Sequence, residues 1–282
     1  MPPRLLICIL CMPLSHDSAR GQDYLPLDFA HPVQPNNDIW PNGSSLGPGF
    51  FNGATMEFTN VTTRNGLSVD ARVSILGTAG SYGFVGWIPD YNNSNGQPEG
   101  DLGVYYRHTG DFSEPTGGIA YTLSFYEGGG SFSTAVSLSD FRILIYDHDG
   151  EPGQSESIRT YLADGFTGYQ IADESGIHAH DLGDMVQFDA GGHNLSETNS
   201  EGGFIVYYQN ASSIRFDMFS TTRPSNPTSH SGVFAAFDGD LSLTDGETPG
   251  FGTYVPVPEP STTLLVSGAI ALILLRRRRL AA

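Results

Sequence analysis

Ser68-Val69-Asp70-Ala71-Arg72-Val73-Ser74-Ile75 is the stretch that decides the fold class. In an extended chain successive side chains point to opposite sides. Val69, Ala71, Val73 and Ile75 then share one side, and Ser68, Asp70, Arg72 and Ser74 the other. That is a strand with one apolar and one wet face. Short runs of the same kind fill the chain on both sides of it. They are Ala54–Asn60, Leu67–Leu76, Gly83–Ile88, Leu102–Arg107, Ile119–Tyr126, Ser133–Ser139 and Phe141–Tyr146. Ser157–Leu162, Gly168–Ala172, Met185–Phe188, Phe204–Gln209, Ser213–Phe219 and Val233–Phe237 follow. β-Branched and aromatic residues occupy them, and Gly, Asn, Asp or Pro separate them. Between the two chain ends no segment sustains the 3.6-residue period of a helix. The pattern predicts an all-β fold, an antiparallel β-sandwich of jelly-roll type. The runs have no fixed period, which argues against a propeller or solenoid.

Charge narrows the partners. The chain has 282 residues, a formal net charge of −18 and 13 basic residues. All 13 are Arg, and six of them, Arg4, Arg20 and Arg276 to Arg279, lie at the two ends. The stretch between is therefore strongly acidic. Such a surface repels phosphate backbones, so no nucleic-acid partner is expected, and it attracts cations such as calcium. Both cysteines, Cys8 and Cys11, sit in the N-terminal apolar run. A mature domain without that run has no disulfide to rely on.

The two ends have the composition of targeting segments. Arg4 precedes the apolar Leu5–Leu14, and Ala19-Arg20-Gly21 supplies small residues before Gln22. Residues 1–21 are expected to be a signal peptide. At the other end, Val257-Pro258-Glu259-Pro260-Ser261-Thr262 precedes an uncharged run, Thr263–Leu275, and then Arg276, Arg277, Arg278 and Arg279. The order is Pro-Glu-Pro, apolar segment, Arg cluster, terminus. This tail resembles the PEP-CTERM sorting domain, with Pro258, Glu259 and Pro260 as its motif. The resemblance covers about the last tenth of the chain. It implies a short transmembrane helix over 263–275 with the Arg cluster as its cytoplasmic stop. It also implies an exosortase that cuts near the motif, and delivery of the domain to the cell surface or to extracellular polymer. The expected map is a signal peptide (1–21), a β-sandwich (22–243), a linker (244–257) and the sorting tail (258–282).

Three constellations carry candidate chemistry. Asp147-His148-Asp149-Gly150-Glu151 places three carboxylates, Asp147, Asp149 and Glu151, within five residues at the end of a strand. They offer oxygen ligands for Ca2+, although Pro152 and Ile158 stand where an EF-hand loop needs Gly and Glu. An Asp-Gly turn is the plain alternative. The second is His178-Ala179-His180 followed by Asp184. On a strand the two His share a face, and with an acid they form a transition-metal ligand set. The spacing resembles the first cupin motif, with Asp184 in place of the family's Glu, Gly191 after six intervening residues, and Ala172 where the family has Gly. The third is aromatic. Trp40, Trp87, Tyr105-Tyr106 and Tyr207-Tyr208 are candidates for a sugar-binding face, with Trp87 and Tyr106 the ligand residues to test.

Nucleophile-elbow, P-loop and dinucleotide-binding patterns are absent from the sequence. The sequence as a whole points to an exported, non-enzymatic protein of the cell surface or the extracellular, biofilm-type matrix. A carbohydrate-binding module for exopolysaccharide is the alternative. A cupin-like metal enzyme or a polysaccharide-cleaving enzyme is the third possibility.

Overall fold

The computed structural model describes residues 24–33, 55–79, 84–91, 100–107, 116–151, 154–173, 175–190, 200–222, 233–241 and 250–257. Both targeting segments, the proposed membrane helix, Trp40 and Gly191 lie outside these residues. No helix among the described residues is long and apolar enough to cross a membrane.

The chain forms two antiparallel sheets. The strands are β1 (Thr55–Arg64), β2 (Leu67–Ala79), β3 (Phe84–Tyr91), β4 (Asp101–Arg107) and β5 (Thr116–Glu127). They continue as β6 (Leu138–Tyr146), β7 (Gly150–Glu151), β8 (Gln154–Tyr161), β9 (Phe166–Ile171) and β10 (His178–Asp181). The last are β11 (Met185–Asp189), β12 (Phe204–Ala211), β13 (Ser213–Thr222), β14 (Val233–Asp238) and β15 (Val255–Pro256). The first sheet runs β1-β2-β5-β13-β8-β11-β10, with β7 added on β8. The second runs β15-β9-β12-β6-β14-β4-β3. Within them β4-β14-β6-β12 and β5-β13-β8-β11 exchange strands between the sheets in the nested order of a jelly roll.

The opening octapeptide behaves as its pattern predicts on the dry side. Val69, Ala71, Val73 and Ile75 are all buried. They meet side chains of the second sheet in one core that includes Phe141, Ile143, Phe204, Tyr208 and Phe237. Phe188 and Phe204 stack across the two sheets at 4.1 Å, and Phe141 lies on Tyr208 at 5.2 Å. The wet side holds one exception. Asp70 is 0% exposed although it points away from the core. Its carboxylate accepts the N–H of Asn60 (3.0 Å) and of Gly130 (2.7 Å). Asn60, at φ +59, is the bulge that carries β1 on to Arg64, beyond the expected end at Asn60.

Two further expectations are corrected. Ser133–Ser139 forms strand only from Leu138 onward. Before that Phe132, at φ +48, turns the chain back so that its ring meets Tyr126, and Ala135 bridges to the same strand. The stretch 244–257 does not end as a free linker. Ala172 bridges to Phe251, β15 pairs with β9, and the Val257 N–H donates to the Thr167 carbonyl (3.0 Å). The sandwich therefore reaches to the residue before Pro258. The stretch 24–33 is bound in as well. Its Leu25 bridges to Phe141, Leu27 to Gly239 and Pro32 to Phe58, so it laces the second sheet to the free edge of β1. A Cβ on Gly239 would stand 2.3 Å from the Cβ of Leu27, so that crossing needs Gly.

Candidate functional site

The outer faces of the two sheets differ. On the second sheet Leu144, Tyr146, Ile205, Tyr207 and Ala236 form a second apolar cluster, covered by Tyr24, Leu241, Phe251 and Tyr254. The stretches around Tyr24, Leu241 and Phe251 to Tyr254 thus close this face. Sequence alternation turns one Tyr of Tyr207-Tyr208 outward and leaves it open. Instead both are buried, because Tyr24 and Tyr254 pack edge-on against Tyr207. Tyr207 also donates its hydroxyl to Gln170.

The outer face of the first sheet carries a polar network over β13, β8, β11 and β10. Register builds it. Arg159 on β8 is paired with Asp217 on β13 and with Gln187 on β11, and Gln187 with His180 on β10. Arg215 grips Asp217 with two bonds, Nε to Oδ1 at 2.8 Å and Nη2 to Oδ2 at 3.0 Å. Its guanidinium lies 4.7 Å over the Tyr161 ring, and Tyr161 donates its hydroxyl to Asp217. Burial and that carboxylate push the Tyr161 hydroxyl up to about 12. Arg159 lies 4.3 Å over the Phe219 ring and donates Nε to Gln187 Oε1 at 2.8 Å. Gln187 passes the chain on to Asp189 Oδ1 at 2.7 Å, which Ser157 also reaches at 2.5 Å. His180 Nε2 closes it 3.2 Å from Asp189 Oδ2. A similar group stands further along the same sheet, where Arg72 pairs with Glu57 at 2.6 Å and covers the rings of Tyr126 and Phe132.

The sequence-predicted sites distribute as follows. His178 and His180 do lie on one strand and one face. Asp184 does not join them. It sits in the turn between β10 and β11, where Gly183 takes φ +95 and the Asp184 carbonyl accepts the Leu162 N–H. The acid that meets His180 is Asp189, which the hairpin register places opposite His178. Among the described residues no three His, Cys, Asp or Glu side chains are gathered so as to hold a metal ion. Asp147 and Asp149 flank a buried residue, His148, and the Glu151 side chain lies outside the described residues. The Asp147 backbone stands at φ +56, the kink that ends β6. Gly150 and Glu151 then pair with Ser155 and Gln154, so the turn belongs to a short hairpin. The backbones of Trp87 and Tyr106 run in β3 and β4 at one edge of the second sheet, paired with Val104 and Val85 respectively. Their side chains lie outside the described set.

Two buried ionisable groups stand out. His148 is 0% exposed and its Nε2–H donates to the Phe188 carbonyl at 3.0 Å. Nδ1 has no partner among the described residues, so a second proton there would find no acceptor. Burial lowers the ring to about 4. Asp238 is also 0% exposed. It accepts the N–H groups of Asp240 (2.9 Å) and Leu241 (2.6 Å). Burial, and then the Asp240 carboxylate, push it up to about 7.

No family model matches the chain, and no curated protein matches it. Among solved structures it is similar to the N-terminal domain of the Streptococcus gordonii adhesin Sgo0707, with TM-score 0.41 and 14% identity. That match covers 67% of this chain and 49% of the other, so this chain spans about half the adhesin domain's length. It is also similar to the adhesin domain of PrgB from Enterococcus faecalis, with TM-score 0.42, 13% identity and coverage of 66% and 63%. The same PrgB domain bound to DNA matches with TM-score 0.41 and 13% identity, over 66% and 67%.

Proposed function

We propose that this chain is an exported bacterial protein whose sandwich serves as a non-enzymatic interaction module at the cell surface or in the extracellular matrix. One observation carries the reading. Pro258-Glu259-Pro260, the apolar Thr263–Leu275 and Arg276–Arg279 follow directly on the last strand of a closed β domain. Three parts in sorting order, behind a domain that is packed up to Val257, fit a tail built to be recognised and removed. Proline fixes φ and has no backbone N–H to give to a sheet, so two prolines in the motif favour the extended chain that a protease cleft takes. The domain offers an open, hydrogen-bonded sheet face for contact.

The test follows the tail. The full chain is expressed in a bacterium that has an exosortase and in an isogenic strain that lacks it. The expected result is an extracellular or surface form whose mass lacks everything beyond the motif, formed only in the first strain and blocked by Glu259→Ala. Intact Arg276–Arg279 on membrane-held protein in both strains would overturn the proposal.

A further inference from the structure

The polar network on the first sheet has properties that a merely solvated face does not need. It is continuous over four strands, and each charged group in it is held by a named partner. Arg215 is 41% exposed and Asp217 16%; His180 is 53% exposed and Asp189 27%. The network is therefore open to solvent yet fixed. Arg159 is pinned over Phe219 and spends only Nε on Gln187. A guanidinium has five N–H donors in a rigid fork. The other four have no acceptor among the described residues.

Charge selects the ligand. Asp217 pairs with Arg215, Asp189 holds the Gln187 that Arg159 grips, and the Asp164 carboxylate accepts the Arg215 backbone N–H, so the patch has no excess of positive charge on a chain of net charge −18. A polyanion meets no net attraction there and long-range repulsion from the rest of the molecule. A protein partner wants an apolar centre to its interface. Among the described residues the exposed large hydrophobics, Val33, Leu67, Leu76, Leu182 and Val255, all lie outside the network. What remains is a neutral, hydroxyl-rich polymer. Sugar hydroxyls take paired donors and acceptors, and sugar C–H faces lie on flat groups such as Tyr161, Phe219 and the guanidinium planes above them.

We infer that the outer face of β13, β8 and β11 is a binding site for an uncharged polysaccharide, read by Arg159, Tyr161, Gln187, Arg215, Asp217 and Phe219. This rests on the interaction-module reading and names the ligand class of its open face. Prior fixing of the side chains lowers the entropy lost on binding.

The experiment is electrophoresis of the full chain in native gels containing dextran, soluble β-1,3-glucan, galactomannan or hydroxyethylcellulose. Alginate and duplex DNA serve as polyanions. Arg159→Ala, Arg159→Lys and Gln187→Ala are run beside the parent, each checked by thermal unfolding for an unchanged fold. The expected result is retardation by at least one neutral polymer and not by the polyanions. Affinity falls about tenfold or more in Arg159→Ala and Gln187→Ala. Arg159→Lys is not a rescue, because Lys has no planar fork. The inference is overturned by retardation with no neutral polymer, by retardation only with alginate or DNA, or by affinity that the variants leave unchanged. Cleavage at the tail is scored on the same proteins by mass. A chain that is cleaved but binds no glycan defeats the ligand assignment alone, and one that binds but is never cleaved defeats the sorting reading alone.

Discussion

Tyr207 and Tyr161 both point outward from a sheet, and the two sheets use them in opposite ways. Tyr207, on the second sheet, is 5% exposed beneath Tyr24 and Tyr254. Tyr161, on the first, stays half-buried beneath one Arg and donates to an acid. One outer face has become a second small core; the other has remained a surface. Outward direction is a property of strand alternation. Whether the outward side is wet depends on what packs over it, and here Tyr24, Leu241, Phe251 and Tyr254 cover one sheet.

Emptying the covered face should have the largest effect. Tyr207→Ala removes the ring that Tyr24 and Tyr254 pack against. A loss of about 3 kcal/mol is expected, as for large-to-small changes in a core, read from the urea midpoint at unchanged slope. A loss under about 1 kcal/mol would show that the face is a surface like its counterpart.

Titration gives the next largest effect. Asp238 lies on the covered side, and its acid form is favoured in the folded state up to about pH 7. A carboxyl raised in this way binds its proton more tightly folded than unfolded. Its contribution is fully present below the unfolded pKa and is lost as pH rises through the window from about 4 to about 7. His148 has the opposite sign. Its folded value of about 4 is depressed, so its contribution is present above the unfolded pKa, near 6.5, and is lost as pH falls toward 4. The two slopes oppose each other over most of one window. The parent protein is expected to show a nearly flat stability between about pH 4.5 and 6.5. Asp238→Asn unmasks His148, and stability then falls by up to about 1.4 kcal/mol per unit on acidification. His148→Gln unmasks Asp238 and reverses the slope. Parallel pH profiles for all three proteins would disprove the assignment of both groups.

The smallest effect belongs to the open face. Arg215→Ala breaks a partly exposed ion pair and an Arg–ring contact, and is expected to cost no more than about 1 kcal/mol. High salt shrinks that difference further. A cost as large as that of Tyr207→Ala would mean that the network is structural and would remove the contrast between the faces.

Much of the fold is legible in the sequence because alternation is local. Val69 to Ile75 announce their sheet face without help from the rest of the chain. The failures come where long-range register decides. Asp70 sits on the wet side by count, and only the bulge at Asn60 and the loop at Gly130 bury it. Asp184 is near His180 in sequence, but a hairpin turning at Leu182-Gly183-Asp184 brings Asp189 to the histidines instead. Gly183 was the available signal for that turn. The network of Arg159, Gln187 and Asp217 left no trace, since its members come from three strands far apart in the chain. The stretch 244–257 has a linker's Gly and Pro content, yet Phe251, Tyr254, Val255 and Val257 gave it something to bury.

The attachment of that last stretch has a mechanical consequence. From Gly250 to Val257 the chain runs antiparallel along β9, tied at Asp173, Ile171, Tyr169 and Thr167, with the Tyr254 hydroxyl on the Thr167 carbonyl (2.8 Å) as a further tie. If the tail holds the precursor as proposed, tension enters the described fold at Val257. Force along the strand loads these ties together, in shear, rather than opening them one by one. The covered face would then also be an anchor plate, with the open sheet on the side away from the load.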